Sequence, residues 1–124
     1  MASLIRQFFS SAFKMSETKP MNLPAGANLV TVAAGCFWGV EHMYRKEFGN
    51  GKGLIDARVG YIGGKSSSPS YQAVCSGSTG HAEALQVHFD PEKVTYRQLI
   101  EYFYRMHDPT TLNSQGPDRG SQYR

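Results

Sequence analysis

The sequence predicts an α+β fold in two layers, with helices on one face of an antiparallel sheet. Three observations lead there. Leu54 to Tyr61 and Ala84 to Phe89 alternate apolar and polar residues at the period of a half-buried strand. From Phe37, and again after Thr95, the apolar residues fall instead at helical spacing. The resulting order is strand, helix, strand, strand, helix, which fits a sandwich rather than an alternating parallel fold.

Each element has a local cause. Asn28 to Ala34 (NLVTVAA) is rich in β-branched residues and reads as the first strand. Phe37, Val40, Tyr44 and Phe48 then share one helix face, Glu41 and Arg45 are spaced to pair, and Gly49-Asn50-Gly51 stops the helix. In the next strand Ile55, Ala57, Val59 and Tyr61 are expected inward, and Asp56 and Arg58 outward. In the third, Leu85, Val87 and Phe89 are expected inward, Gln86 and His88 outward, with Asp90-Pro91 ending it. The last helix opens with a capping box, Thr95 with Gln98, and a hydrophobic staple, Val94 with Leu99. Leu99, Tyr102, Phe103 and Met106 form its core face, and Pro109 stops it. A ferredoxin-like sandwich has this β-α-β-β-α order plus one more strand, so the chain is expected to lack its final strand and C-terminal segment.

Composition bounds the function. The 124 residues fit one small domain, and 40% hydrophobic against 19% charged residues is a globular balance. The net charge of +3 is spread along the chain without a basic run or nucleic-acid motif, so no nucleic-acid partner is expected. No apolar stretch has the length of a membrane span. With only two cysteines, Cys36 and Cys75, neither a disulfide scaffold nor a Cys-only zinc site can be built. A reducing compartment is expected. Residues 1–27 read as an N-terminal extension. Within it, Met1 to Ser16 holds Arg6 and Lys14 and no acid, with Leu4, Ile5, Phe8, Phe9 and Phe13 able to share one face. This is either a targeting leader or a disordered tail. Met15 could be a second start. Lys19 to Gly26 reads as a linker and Ser66 to Ser70 as a loop.

Three clusters carry chemistry. Cys36 sits in Gly35-Cys36-Phe37-Trp38-Gly39, where strand becomes helix. A helix N-terminus stabilises a thiolate, and such cysteines titrate at roughly 3.5–7.5. The glycines permit a tight turn and close approach of a substrate, and Phe37 and Trp38 place an apolar slot beside the sulfur. The competing reading is a small buried hydrophobe in a core. Tyr71 to Ala84 holds Cys75, His81 and Glu83. A carboxyl beside an apolar slot has its pKa raised by desolvation and can donate a proton near neutrality. The competing reading is a solvated loop carboxylate. His81-Ala82-Glu83 also matches the H-x-E of zinc deaminases, but no downstream P-C-x-x-C supplies the metal ligands. His42, His88 and His107 show no ligand spacing with one another. The last cluster, Gln115 to Arg124, offers Asp118 as an acceptor and Tyr123 as a phenolic donor.

Together these segments resemble methionine sulfoxide reductase A. Gly35 to Gly39 is similar to that family's active-site signature. Ser70-Tyr71, Val74-Cys75-Ser76-Gly77 and Thr79-Gly80-His81-Ala82-Glu83 are similar to its central motif. His107-Asp108-Pro109 and Gln115-Gly116-Pro117-Asp118 through Gln122-Tyr123-Arg124 are similar to the stretch after its second helix. The resemblance runs from about Leu29 to Arg124, so residues 28–124 are expected to form an incomplete domain of that kind. It implies reduction of methionine-S-sulfoxide, free or in protein, with no metal or organic cofactor. Cys36 would attack the sulfoxide sulfur, and Phe37 and Trp38 would hold the substrate methyl group. Glu83 would protonate or hydrogen-bond the oxygen, with Tyr71 and Tyr123 donating to it and Asp118 helping through water.

The product would be methionine and a sulfenic acid on Cys36. Thioredoxin or another thiol would return Cys36 to the thiol. Family members continue beyond this point, in many cases with a recycling cysteine. Cys75, in a Val-Cys-Ser-Gly turn, reads as structural rather than as that thiol. The alternative is an inactive fragment that only binds methionine-sulfoxide peptides. An acyl-transfer enzyme would need a histidine beside the thiol, where this pattern offers carboxylate and phenols. The expected setting is cytoplasmic, or mitochondrial if residues 1–16 act as a leader.

Overall fold

The structure, a computed structural model, describes residues 14–15, 23–65 and 70–124. In chain order its elements are β1 (Lys14–Met15), β2 (Asn28–Val32), α1 (Phe37–Phe48), β3 (Leu54–Ile62), α2 (Tyr71–Cys75), β4 (Ala82–Phe89), α3 (Tyr96–Met106), β5 (Ser114–Gln115) and β6 (Asp118–Arg119). A 3₁₀ turn at Ser121–Tyr123 follows. The main sheet runs β1-β3-β4-β2 side by side. β2 and β3 are each antiparallel to β4, so they lie parallel to one another with β4 between them and α1 as the crossover. This is the expected α+β order on an open sheet. Among the described residues no strand pairs with the outer edge of β2, where a ferredoxin-like sheet places its fourth.

The core is the face where the sheet meets the two long helices. Val30 and Val32, Ala57, Val59 and Tyr61, and Leu85, Val87 and Phe89 supply the sheet side. Phe37, Val40, Tyr44 and Phe48 of α1 and Leu99 of α3 close it from above. The expected stripe on α1 is thus buried at every position, and Glu41 pairs with Arg45 at 3.3 Å. Tyr44 is fully buried. Its hydroxyl donates to the Leu99 carbonyl at 2.9 Å, so the pair ties α1 to α3 while satisfying a phenol that could not otherwise be buried. Tyr102 packs edge-on against Tyr44 and Phe48, at 5.2 and 5.3 Å between ring centroids. The capping box at Thr95 and Gln98 is present with both of its reciprocal bonds.

Four features depart from the sequence expectation. In β3 a bulge between Leu54 and Asp56 sets two residue steps against a single step on β4. The extra residue resets the alternation. Leu54 therefore packs against the core, and Ile55, expected inward, lines a shallow cleft with Pro24 and Pro91 instead. Arg58, Gln86 and His88, expected outward, are buried. Arg58 bonds Asp56 at 3.1 Å, and Gln86 and His88 line a cleft with Leu29, Thr31 and Tyr96. Third, β1 pairs Lys14 with Tyr61 and Met15 with Gly60. It falls within the 1–27 extension, whose leader reading otherwise lies outside the described residues, as do 19–22 of the linker and 66–69 of the serine-rich loop. Finally, the polar tail after Asp108 is built: β5 and β6 form a small hairpin, Ser114 opposite Arg119 and Gln115 opposite Asp118.

Leu99→Ala should cost about 2–5 kcal/mol of stability in urea unfolding, because it leaves a cavity at the meeting of both helices. Thr95→Ala should cost only about 1 kcal/mol, the value of a helix cap. Equal costs would contradict this description of the core.

Candidate active site

Cys36 is the N-cap of α1, held in extended backbone, and its thiol is half-buried. The turn before it depends on Gly35. That residue has φ +85°, and a Cβ there would lie 2.6 Å from Cβ of Gln115, so the β5–β6 hairpin packs directly onto the turn. The first amide of the helix is already engaged. Phe37 N–H donates to Oε1 of Glu83 at 3.1 Å, which ties the start of α1 to the central strand β4.

Glu83 is 2% exposed. Burial raises its pKa, the Phe37 N–H works against that rise, and Asp118 adds to it. The carboxyl therefore holds its proton to higher pH than an ordinary glutamate, in a strand core rather than a solvated loop. The entry to β4 is fixed beside it. Gly64 N–H donates to Nδ1 of His81 at 3.0 Å, and a Cβ on Gly64 would meet the His81 ring at 2.5 Å.

The aromatic groups surround this pair. Phe37 is buried and Trp38 exposed, their rings 5.5 Å apart, and Gly39 has open space where a side chain would stand. Trp38 in turn stacks on Tyr71 at 6.3 Å and 22°, which sets the short helix α2 against the start of α1. The Tyr71 phenol is raised, first by the Cys75 side chain one helical turn on, then by burial, Glu83 and Cys36. Tyr123, in the 3₁₀ turn, is pushed up to about 12 by burial and then by Glu83, Cys75, Tyr71 and Asp118. Both phenols stay protonated across neutral pH and are hydrogen-bond donors. Arg124 holds their surroundings together by donating to the Gly80 carbonyl at 2.7 Å, just before β4.

The structure thus brings Cys36, Phe37, Trp38, Tyr71, Glu83, Asp118 and Tyr123 into one neighbourhood, from α1, α2, β4, β6 and the final turn. Cys75 is a free, exposed cysteine at the end of α2, just before the turn at Ser76 and Gly77. Sequence reasoning missed Tyr61, which lies directly opposite Glu83 in the β3–β4 ladder and was assigned to the core by its alternation. It also missed Gln115, whose only signal was its place in the tail motif. Among the described residues no group of His, Cys, Asp or Glu comes together that could hold a metal ion, and no helix is long and apolar enough to cross a membrane.

The fold and the site define a cysteine-centred α+β protein in which a thiol at a helix start, a buried carboxyl and a set of phenols come together. The chain belongs to the peptide methionine sulfoxide reductase family: the family model described as "Peptide methionine sulfoxide reductase" matches residues 28–124. It is 51% identical over 107 residues to the peptide methionine sulfoxide reductase of Saccharomyces cerevisiae, covering 82% of this chain and 57% of that protein. The reduced form of Mxr1 from Saccharomyces cerevisiae superposes with a TM-score of 0.76 at 50% identity, covering 84% of this chain and 60% of Mxr1. Mxr1 in complex with Trx2 gives a TM-score of 0.56 at 36% identity, covering 78% of this chain and 62% of that one. The chain spans about half the length of the curated relatives it matches, 57%, 53% and 50% of three of them.

The Glu83 pKa has a consequence for stability. A folded-state pKa above the unfolded value of about 4.3 means the contribution is complete below that value and is lost as pH rises through the folded pKa. Glu83→Gln mimics the protonated carboxyl and should escape that loss. Its melting temperature should gain on the native chain from pH 4 to pH 8, whereas a constant difference across that range would refute a raised Glu83.

Proposed function

We propose that this chain reduces methionine-S-sulfoxide, free or in protein, to methionine through a sulfenic acid on Cys36. The observation that carries the reading is the buried carboxyl of Glu83, its pKa raised by burial, bonded to the amide next to Cys36. Attack on sulfur weakens a polar S–O bond and makes its oxygen basic, so the step needs a proton and preorganised donors at that oxygen. Cys36 supplies the sulfur nucleophile and Glu83 the proton. Tyr71 and Tyr123 donate hydrogen bonds to the oxygen, and Asp118 assists through water while raising the Glu83 pKa. Phe37 and Trp38 receive the substrate's methyl group. The S–O bond breaks and a Cys36 S–O bond forms: the sulfoxide sulfur is reduced by two electrons and the cysteine sulfur oxidised by two.

Two equivalents of an external thiol then return Cys36 to the thiol, with a disulfide and water as products. Thioredoxin or a similar thiol reductant is the proposed partner, supported by the solved complex of Mxr1 with Trx2. Residues 28–124 are the proposed reductase domain, preceded by the extension 1–27. The proposed setting is cytoplasmic, or mitochondrial through residues 1–16.

Pre-reduced chain mixed with a methionine-S-sulfoxide peptide, without added reductant, should yield about one methionine per chain, with a sulfenic-acid probe trapped on Cys36. Both signals should vanish in Cys36→Ser. Glu83→Gln should slow the step by about 10²–10⁴-fold. A folded chain that binds the peptide and releases no methionine would instead make it a peptide-binding piece.

A further inference from the structure

Tyr61 is a third phenol beside Glu83. It stands at the end of β3, directly opposite Glu83 in the antiparallel ladder. Residues so paired have Cβ atoms only ~4.5–5.5 Å apart, and both side chains point to the helix-covered face. Its ring is held on two sides, by Phe37 at 5.5 Å and by His81 at 6.5 Å between centroids. The residue is 3% exposed.

A phenol buried to that degree ordinarily finds a hydrogen-bond partner, as Tyr44 does on the Leu99 carbonyl. The Tyr61 hydroxyl has none among the described residues, and its oxygen is not among the wholly enclosed orphan atoms. Burial first, then Glu83, Cys75, Tyr71 and Tyr123, push it up to about 12. Glu83, Cys75 and Tyr71 also raise Tyr123, so the two phenols share these three neighbours. Packing against Phe37 alone would require only a phenylalanine here. The hydroxyl is the part of the side chain that the core does not use.

We propose that Tyr61 is a catalytic residue, a third phenolic donor that gives its hydrogen bond to the sulfoxide oxygen as that oxygen gains charge. The inference rests on the reductase reading and extends it. The proton stays on the phenol and the bond strengthens only as the S–O bond polarises, so Tyr61 acts on the rate of the step more than on binding.

The test is Tyr61→Phe, which keeps the ring and its contacts. With pre-reduced chain and a methionine-S-sulfoxide peptide in single turnover, the rate constant at saturating peptide should fall on the order of 10- to 100-fold. The half-saturating concentration and the melting temperature should stay near those of the native chain. A purely structural Tyr61 would move the melting temperature and leave the rate. Incorporating 3-fluorotyrosine at position 61, a stronger donor of nearly the same size, should restore the native rate or exceed it. A Tyr61→Phe rate within about twofold of an active native chain would overturn the Tyr61 inference alone and leave the reductase reading standing. No methionine from the native chain would overturn both.

Discussion

The hydrogen bond from the Phe37 amide to Glu83 organises this molecule. It spans 46 residues of sequence and joins the first turn of a helix to the central strand of the sheet. A helix start leaves amides without partners, and a buried carboxyl needs donors. Each group meets the other's requirement. The consequence is geometric: the residue before Phe37 is Cys36, so the bond fixes the backbone next to the thiol against the strand that carries the carboxyl.

The rest of the architecture serves that juncture. β4 lies in the middle of the sheet, paired with β3 and β2, which buries Glu83 and raises its pKa. Gly64, without room for a side chain, lets the His81 ring lock the approach to β4. From the other direction, the hairpin of β5 and β6 packs Gln115 against Gly35, and the turn that follows it delivers Tyr123. The stack of Trp38 on Tyr71 sets α2 alongside. Groups far apart in the chain thus converge on Cys36 because several independent packings each constrain one of them.

Much of this was legible beforehand, for local reasons. The α1 stripe, the capping box and the N-cap position of Cys36 follow from side chains within a turn or two of one another, and they stand as read. The errors share a cause. Ile55 was placed inward because alternation was extended through a point where the β3–β4 pairing contains an extra residue. Gln86 and His88 were placed outward because alternation reports which face a residue occupies and not whether that face is covered. Tyr61 was read as core on the same grounds, which is right for its ring and silent about its hydroxyl.

The sequence by itself therefore determined the five main elements, their order, the thiol at a helix start and the polar patches that resemble one family. These are set by local propensity and by residue chemistry, which a string of letters carries. Only the tertiary structure decided which residue faces Glu83 across the ladder, that the carboxyl is buried so that its pKa rises, and that the tail folds back onto the turn before Cys36. Those outcomes depend on strand register and on what covers each face. Both are properties of distant segments in contact, and no local pattern encodes them.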